Sequence, residues 1–238
     1  MLSDEAAASD PAWSGDGRTV LFEAGEGETR ELRSVDVASG ATRLVAPLWD
    51  GESALLRPRL SPDGTKMAYT RSRDAQLEVW VESLLDGQRW RVARLGDGAA
   101  FPIWSPDGRS LAVDVWHDGH AQVQVVDTDG AAHRQVSRGV DLAWVRSWAP
   151  DGSRLAFAGA VDGRWNVWWA SRDGTRQAQL TDYRDEHHYV RNPAWSPRGR
   201  PGGLRVRQLY WQHLDRTAAM SSARQGPQHP RRHEPFEA

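Results

Sequence analysis

Five copies of one short motif, set at nearly constant intervals, constrain this chain more than any other feature. They are Pro11-Ala-Trp13-Ser-Gly-Asp16-Gly17, Pro58-Arg-Leu60-Ser-Pro-Asp63-Gly64, Pro102-Ile-Trp104-Ser-Pro-Asp107-Gly108, Arg146-Ser-Trp148-Ala-Pro-Asp151-Gly152 and Pro193-Ala-Trp195-Ser-Pro-Arg198-Gly199. Their final glycines lie 47, 44, 44 and 47 residues apart. The chain also carries 13 tryptophans, and so many large rings need many similar pockets, which a stacked repeat supplies.

The period falls at or just above the roughly 40 to 45 residues of a four-stranded blade, and away from the roughly 33 or 34 of helical repeats. Spacing inside the repeat agrees. Val20, Met67, Leu111 and Leu155 stand three residues after the glycine, and Phe22, Tyr69, Val113 and Phe157 stand five after it, the period of a strand. The residues between them, Leu21, Ala68, Ala112 and Ala156, are also apolar, so both faces of this strand are expected to be buried between neighbours. A third strand is expected at Leu32, Val79, Val123 and Val167. A second turn follows at Gly40, Gly87, Gly130 and Gly174, and a short last strand reaches Leu44, Val92, Val136 and Leu180. The chain is therefore read as all-β, a β-propeller of four-stranded antiparallel blades with about four blades plus the start of a fifth.

Ser-Pro-Asp-Gly is a reverse turn by its chemistry. Proline presets φ, serine bonds nearby backbone, and glycine takes a positive φ. Asp63, Asp107 and Asp151 each stand alone in their blade, short of the roughly six to eight oxygens that calcium takes. Asp127-Thr-Asp129-Gly130 resembles part of a calcium loop but lacks its closing glutamate, and Asp118-Gly119 within Trp116 to His120 marks a hairpin. No metal or cofactor site is expected.

A formal charge of -2 with interspersed signs offers no basic face for nucleic acid, and no apolar run approaches the roughly 18 residues of a membrane span. The absence of cysteine removes disulfides and thiol nucleophiles but leaves the compartment open. Met1 to Glu5 is too polar to open a signal peptide. No Gly-x-Ser-x-Gly elbow, phosphate loop or His-Glu-x-x-His helix is present, so a catalytic centre is not expected.

With the repeat laid out, the chain resembles the TolB-like propellers. The fourth copy carries the likeness best, in Trp148-Ala-Pro-Asp-Gly152, Leu155-Ala-Phe157, Asp162-Gly163-Arg-Trp-Asn166-Val-Trp168, Asp173-Gly174 and Gln179-Leu180-Thr181. Gly15, Leu60, Ala149 and Arg198 depart from the motif. The resemblance implies a binding scaffold, usually six-bladed, found as exported periplasmic proteins or attached to peptidases, kinases and regulators. Three functional expectations follow from it: a non-catalytic module that docks a protein or peptide, the gating propeller of a prolyl-oligopeptidase-like serine peptidase, or the sensor domain of a kinase or regulator.

Repeats are placed near 11–57, 58–101, 102–145 and 146–192, with 193–199 opening a fifth, so that residues 1–199 form the propeller. Leu2 to Glu5 aligns with Leu180 to Asp182, as though the chain opened in the outer strand of a preceding blade. Residues 200–238 lose the register and read as an irregular tail, either a frame-shifted remnant of the fifth blade or a native disordered segment. On this reading the chain is a fragment of a propeller, and its uncovered sheet edges favour self-association.

Loops between blades are the expected binding surface, at the mouth of the central channel. Arg57, Phe101, Trp144, Arg146, His187, His188, Tyr189 and Arg191 fall there, and aromatics and arginines dominate binding hot spots. Packing against the neighbouring blade competes with binding as the role of each ring. His187-His188 has no third ligand at a matching spacing, and Trp165, Trp168 and Trp169 are read as core.

Overall fold

The turn motif converts directly into geometry. In a computed structural model of the chain, residues 8–14, 17–26, 29–48, 55–73, 76–94, 98–184, 188–195 and 205–210 are described. In the motif turns Gly64 N–H donates to Ser61 O at 2.9 Å, Gly108 N–H to Ser105 O at 2.9 Å and Gly152 N–H to Ala149 O at 2.9 Å. Each of these glycines has a φ between 66° and 71°, a region that side chains with a Cβ rarely adopt. The serine hydroxyl completes the turn, accepting from Lys66 N–H and Ser110 N–H at 3.0 Å and donating to Asp63 and Asp107 at 2.5 Å. That bond and the Thr65 N–H hold the Asp63 carboxyl down at about 2. These aspartates close turns, as their spacing suggests.

Strands run antiparallel from each turn. The first sheet is β1 (Ser9–Trp13), β2 (Thr19–Ala24), β3 (Glu31–Asp36) and β4 (Thr42–Pro47), in that spatial order. The second is β5 (Leu55–Leu60), β6 (Lys66–Arg73), β7 (Gln76–Ser83) and β8 (Arg89–Arg94). The third set is β9 (Gly98–Trp104), β10 (Ser110–His117), β11 (His120–Asp127) and the short β12 (His133–Gln135). The fourth is β13 (Leu142–Trp148), β14 (Arg154–Val161), β15 (Arg164–Ser171) and β16 (Gln177–Gln179). One parallel bridge, Ala121 to Leu142, joins the third and fourth sets. The β10–β11 and β14–β15 hairpins turn on Asp118-Gly119 and Asp162-Gly163, all four at positive φ, the two-residue turn whose twist suits flanking strands.

β17 (His188–Ala194) begins a fifth repeat and pairs with β18 (Arg205–Tyr210). β18 lies within the stretch read from sequence as an irregular tail. It occupies the place of a second strand although the Asp-Gly signal is missing, because pairing uses backbone groups that any non-proline sequence supplies. Its partner for Ala194 is Arg205, whereas the fourth repeat pairs Ser147 with Ala156. The connection is thus two residues longer, an even number that preserves which face each residue takes.

The core lies between sheets. Leu111, Ala112, Val113, Leu155, Ala156 and Phe157 are all fully buried, so both faces of the second strands are covered as expected. Separate apolar clusters weld the first sheet to the second, the second to the third, and the third to the fourth. Two of the motif tryptophans add a directional bond to this joint. Trp104 Nε1–H donates to Arg59 O at 2.8 Å and Trp148 Nε1–H to Ile103 O at 3.1 Å, in both cases the residue after the motif Pro of the preceding blade. The Leu-Thr ending is also structural, since Thr181 Oγ1 accepts from Val167 N–H at 3.0 Å and the equivalent Ser137 from Val123 N–H at 2.8 Å. Among the described residues no helix is long and apolar enough to cross a membrane.

Candidate functional site: the innermost strands

Every first strand contains one extra residue relative to its partner. The register slips between Ser9 and Ala12, Leu56 and Arg59, Ala100 and Ile103, Val145 and Ser147, and Arg191 and Ala194. A bulge recurring at the same place in each repeat re-aims a side chain in each. In four of the five, the residue before the motif proline has a positive φ: Asp10 at 50°, Arg57 at 56°, Phe101 at 57° and Asn192 at 50°. Non-glycine residues seldom take this conformation, and proline already restricts the residue before it. The fourth copy has Arg146 in place of proline and carries its extra residue there, without the positive φ.

These re-aimed side chains meet in a row that crosses consecutive blades. Arg57 Nη1 donates to Asp10 Oδ2 at 2.8 Å. Its guanidinium carbon lies 4.4 Å from the centroid of the Phe101 ring, and that of Arg146 lies 5.3 Å from the same ring. Arg146 is also 5.9 Å from the Trp144 ring, which packs on Trp165 at 4.6 Å. Four residues singled out from sequence, Arg57, Phe101, Arg146 and Trp144, are therefore brought together. They sit on the strands β5, β9 and β13 and not in loops, because pairing with β6, β10 and β14 resumes several residues before the motif. His188, Tyr189 and Arg191 are likewise strand residues, paired on β17 with Tyr210, Leu209 and Arg207. His187 lies outside the described residues, as do residues 1–7 and 211–238.

Sequence reasoning missed Asp114, the second anchor of the row. It is fully enclosed on β10, six residues after Gly108, where the other repeats have Glu23, Thr70 and Ala158. Its Oδ1 accepts from Val145 N–H at 2.7 Å and its Oδ2 from Arg146 Nη1 at 3.4 Å, so it holds the fourth-copy bulge that lacks proline. Burial pushes its carboxyl up to about 7, against the lowering pull of Arg146 and the Val145 N–H. The recurrence of a polar residue, Glu23, Thr70 and Asp114, at one position of a strand whose neighbouring positions are apolar was the available signal. Near Arg57, Arg59 is largely enclosed, and burial pushes its guanidinium below the ordinary value while Asp10 and Glu23 oppose the shift. Glu23 pairs with Arg30 but leaves Oε1 buried without a partner, and Thr70 Oγ1 is in the same condition. The row thus runs along a polar seam in an apolar joint. Among the described residues no three His, Asp or Glu side chains converge as a metal site.

Comparison with known proteins fits this architecture. A family model described as the TolB beta propeller domain matches residues 44–202. TolB from Acinetobacter baumannii superposes with a TM-score of 0.63 at 18% identity, over 81% of this chain and 47% of that one. A protein assigned as TolB from Agrobacterium tumefaciens gives 0.67 at 20% identity, over 89% and 77%. A puromycin-hydrolyzing peptidase of Mycobacterium tuberculosis gives 0.58 at 19% identity, over 79% and 33%. The chain spans about half the length of the Acinetobacter protein, and no curated sequence matches it. At such identities the superpositions establish fold alone. The repeat, the blade geometry and the matched family model agree, and the chain belongs to the TolB β-propeller family.

Proposed function

We propose that this chain is a non-catalytic binding scaffold that docks a protein or peptide on its innermost strands. The observation that carries the reading is the row itself: Arg57, Phe101, Arg146 and Trp144, from three successive blades, gathered by strained bulges into one continuous aromatic and cationic strip. Backbone strain of this kind needs surrounding structure to maintain it and clusters where proteins bind ligands. Aromatic and arginine side chains concentrate binding energy, and rigid sheets hold them without further ordering cost. The row residues are half-buried, with side-chain exposures of 22% for Arg57 and 24% for Arg146, which leaves part of each guanidinium for a partner.

Selection of displayed random peptides on the full chain tests this. Peptides enriched on the wild type are expected to lose about tenfold or more in affinity for Phe101→Ala, the loss typical of a central aromatic anchor. Far-UV circular dichroism and a thermal melt establish that the variant is folded at the assay temperature. Enriched peptides that bind Phe101→Ala as tightly as the wild type would place the contact elsewhere and defeat the reading.

A further inference from the structure

We propose that the Arg57–Phe101–Arg146 row selects an acidic peptide, whose carboxylates lie between the two guanidinium groups over the Phe101 ring. This rests on the binding reading above and adds the ligand's chemistry. Both arginines are already oriented, and neither is used up. Arg57 gives one N–H to Asp10, and Arg146 gives Nη1 to the Val145 carbonyl and to Asp114. Each planar guanidinium has five N–H donors, so most of them remain for a ligand, and carboxylates match that fork in two-point contacts. Because their rotamers are fixed by an anchor and a shared ring, little side-chain entropy remains to be lost on binding.

The charge balance favours an anion. Arg57, Arg59 and Arg146 face Asp10 and Asp114, with Glu23 taken by Arg30. Three cations against two carboxylates, one of them enclosed, leave the row electropositive in a setting partly removed from water, where charge-assisted bonds are stronger. Phe101 supplies an apolar floor between the charges.

A peptide fits this surface better than another polyanion. β1, β5 and β9 are terminal strands in the spatial order of their sheets, so their inner edges have no neighbouring strand; the Pro58, Arg59 and Ile103 carbonyls already accept side-chain bonds, and the other edge groups are those a peptide could reach. A peptide main chain can satisfy such groups while its acidic side chains reach the arginines.

Fluorescence anisotropy with labelled, end-capped hexaglutamate and hexaglutamine on the full chain tests the proposal. Hexaglutamate is expected to bind about tenfold more tightly than hexaglutamine, as the loss of charge-assisted bonds dictates. Arg57→Gln and Arg146→Gln should each weaken hexaglutamate about fivefold or more while barely changing hexaglutamine. Arg57→Lys, which keeps the charge, should fall between wild type and Arg57→Gln. Arg89→Gln, on the outer strand β8, should change neither. Equal affinity for the two peptides, with both weakened by Phe101→Ala, would overturn the acidic preference and leave a peptide-binding row. Binding of neither peptide would also overturn it, and the random-peptide selection then decides whether the broader reading falls too. A galacturonate oligomer bound as tightly as hexaglutamate would overturn the choice of a peptide.

Discussion

Asp114→Asn is expected to change how the stability of this chain depends on pH. The folded carboxyl titrates at about 7 and the ordinary value is 3.8, so between these limits the folded state holds a proton that the unfolded state has released. Raising the pH through that window favours the unfolded chain. Below 3.8 both states are protonated and above 7 both are ionised, so the effect is confined to the interval and then levels off. The whole gap corresponds to about 4 kcal/mol, of which about 2 to 3 kcal/mol falls between pH 5 and pH 8. Asparagine keeps the size of the side chain and an oxygen that accepts from Val145 N–H, while its amide faces Arg146 at a cost independent of pH. Subtracting the variant from the wild type cancels every other titration, including those of Asp63 and Asp107 near 2. The assay is urea or thermal unfolding followed by circular dichroism at pH 5, 6, 7 and 8. The stability of Asp114→Asn relative to the wild type should rise by about 2 to 3 kcal/mol across that series, or about 5–10 °C in Tm for a chain of this size. A difference that does not vary with pH would refute the assignment of a neutral, enclosed Asp114.

Three further substitutions probe the joints. Trp104→Phe removes the indole donor to Arg59 O and is expected to cost about 1–2 kcal/mol in unfolding experiments. Trp13→Phe, at the same motif position but 64% exposed, should cost less than about 0.5 kcal/mol; equal losses at the two positions would disprove the role given to the indole bond. Gly159→Ala places a Cβ 2.7 Å from Trp168 Cδ1 and 3.3 Å from Phe157 Cε2, and is expected to destabilise by about 1–3 kcal/mol, with a shift in tryptophan emission as the indole moves.

Sequence spacing carried much of this architecture because each repeat obeys the same local rules. Glycine at a positive φ, proline in the turn and apolar residues on both faces of the second strand are local requirements, and Leu111 to Val113 or Leu155 to Phe157 could be placed from spacing alone. The row was only half legible. Arg57 and Phe101 stand in the same place, one residue before the motif proline, and Asp10 shares it, but equal spacing does not reveal a bulge. A bulge depends on two strands counted against each other, so these residues read as loop when they are strand. Asp114 was hidden for a related reason: its partners, Val145 and Arg146, are 31 and 32 residues away and in another blade. β18 escaped notice because its pairing with β17 draws on backbone groups and no motif marks it.

The central claim, that the innermost strands form the binding face, is tested most directly by a crystal structure of the full chain with hexaglutamate. Peptide density crossing the Phe101 ring, with carboxylates within hydrogen-bonding distance of the Arg57 and Arg146 guanidinium groups, is the result expected here. Density confined to an outer edge such as β4 or β8, with the row unchanged, would contradict it.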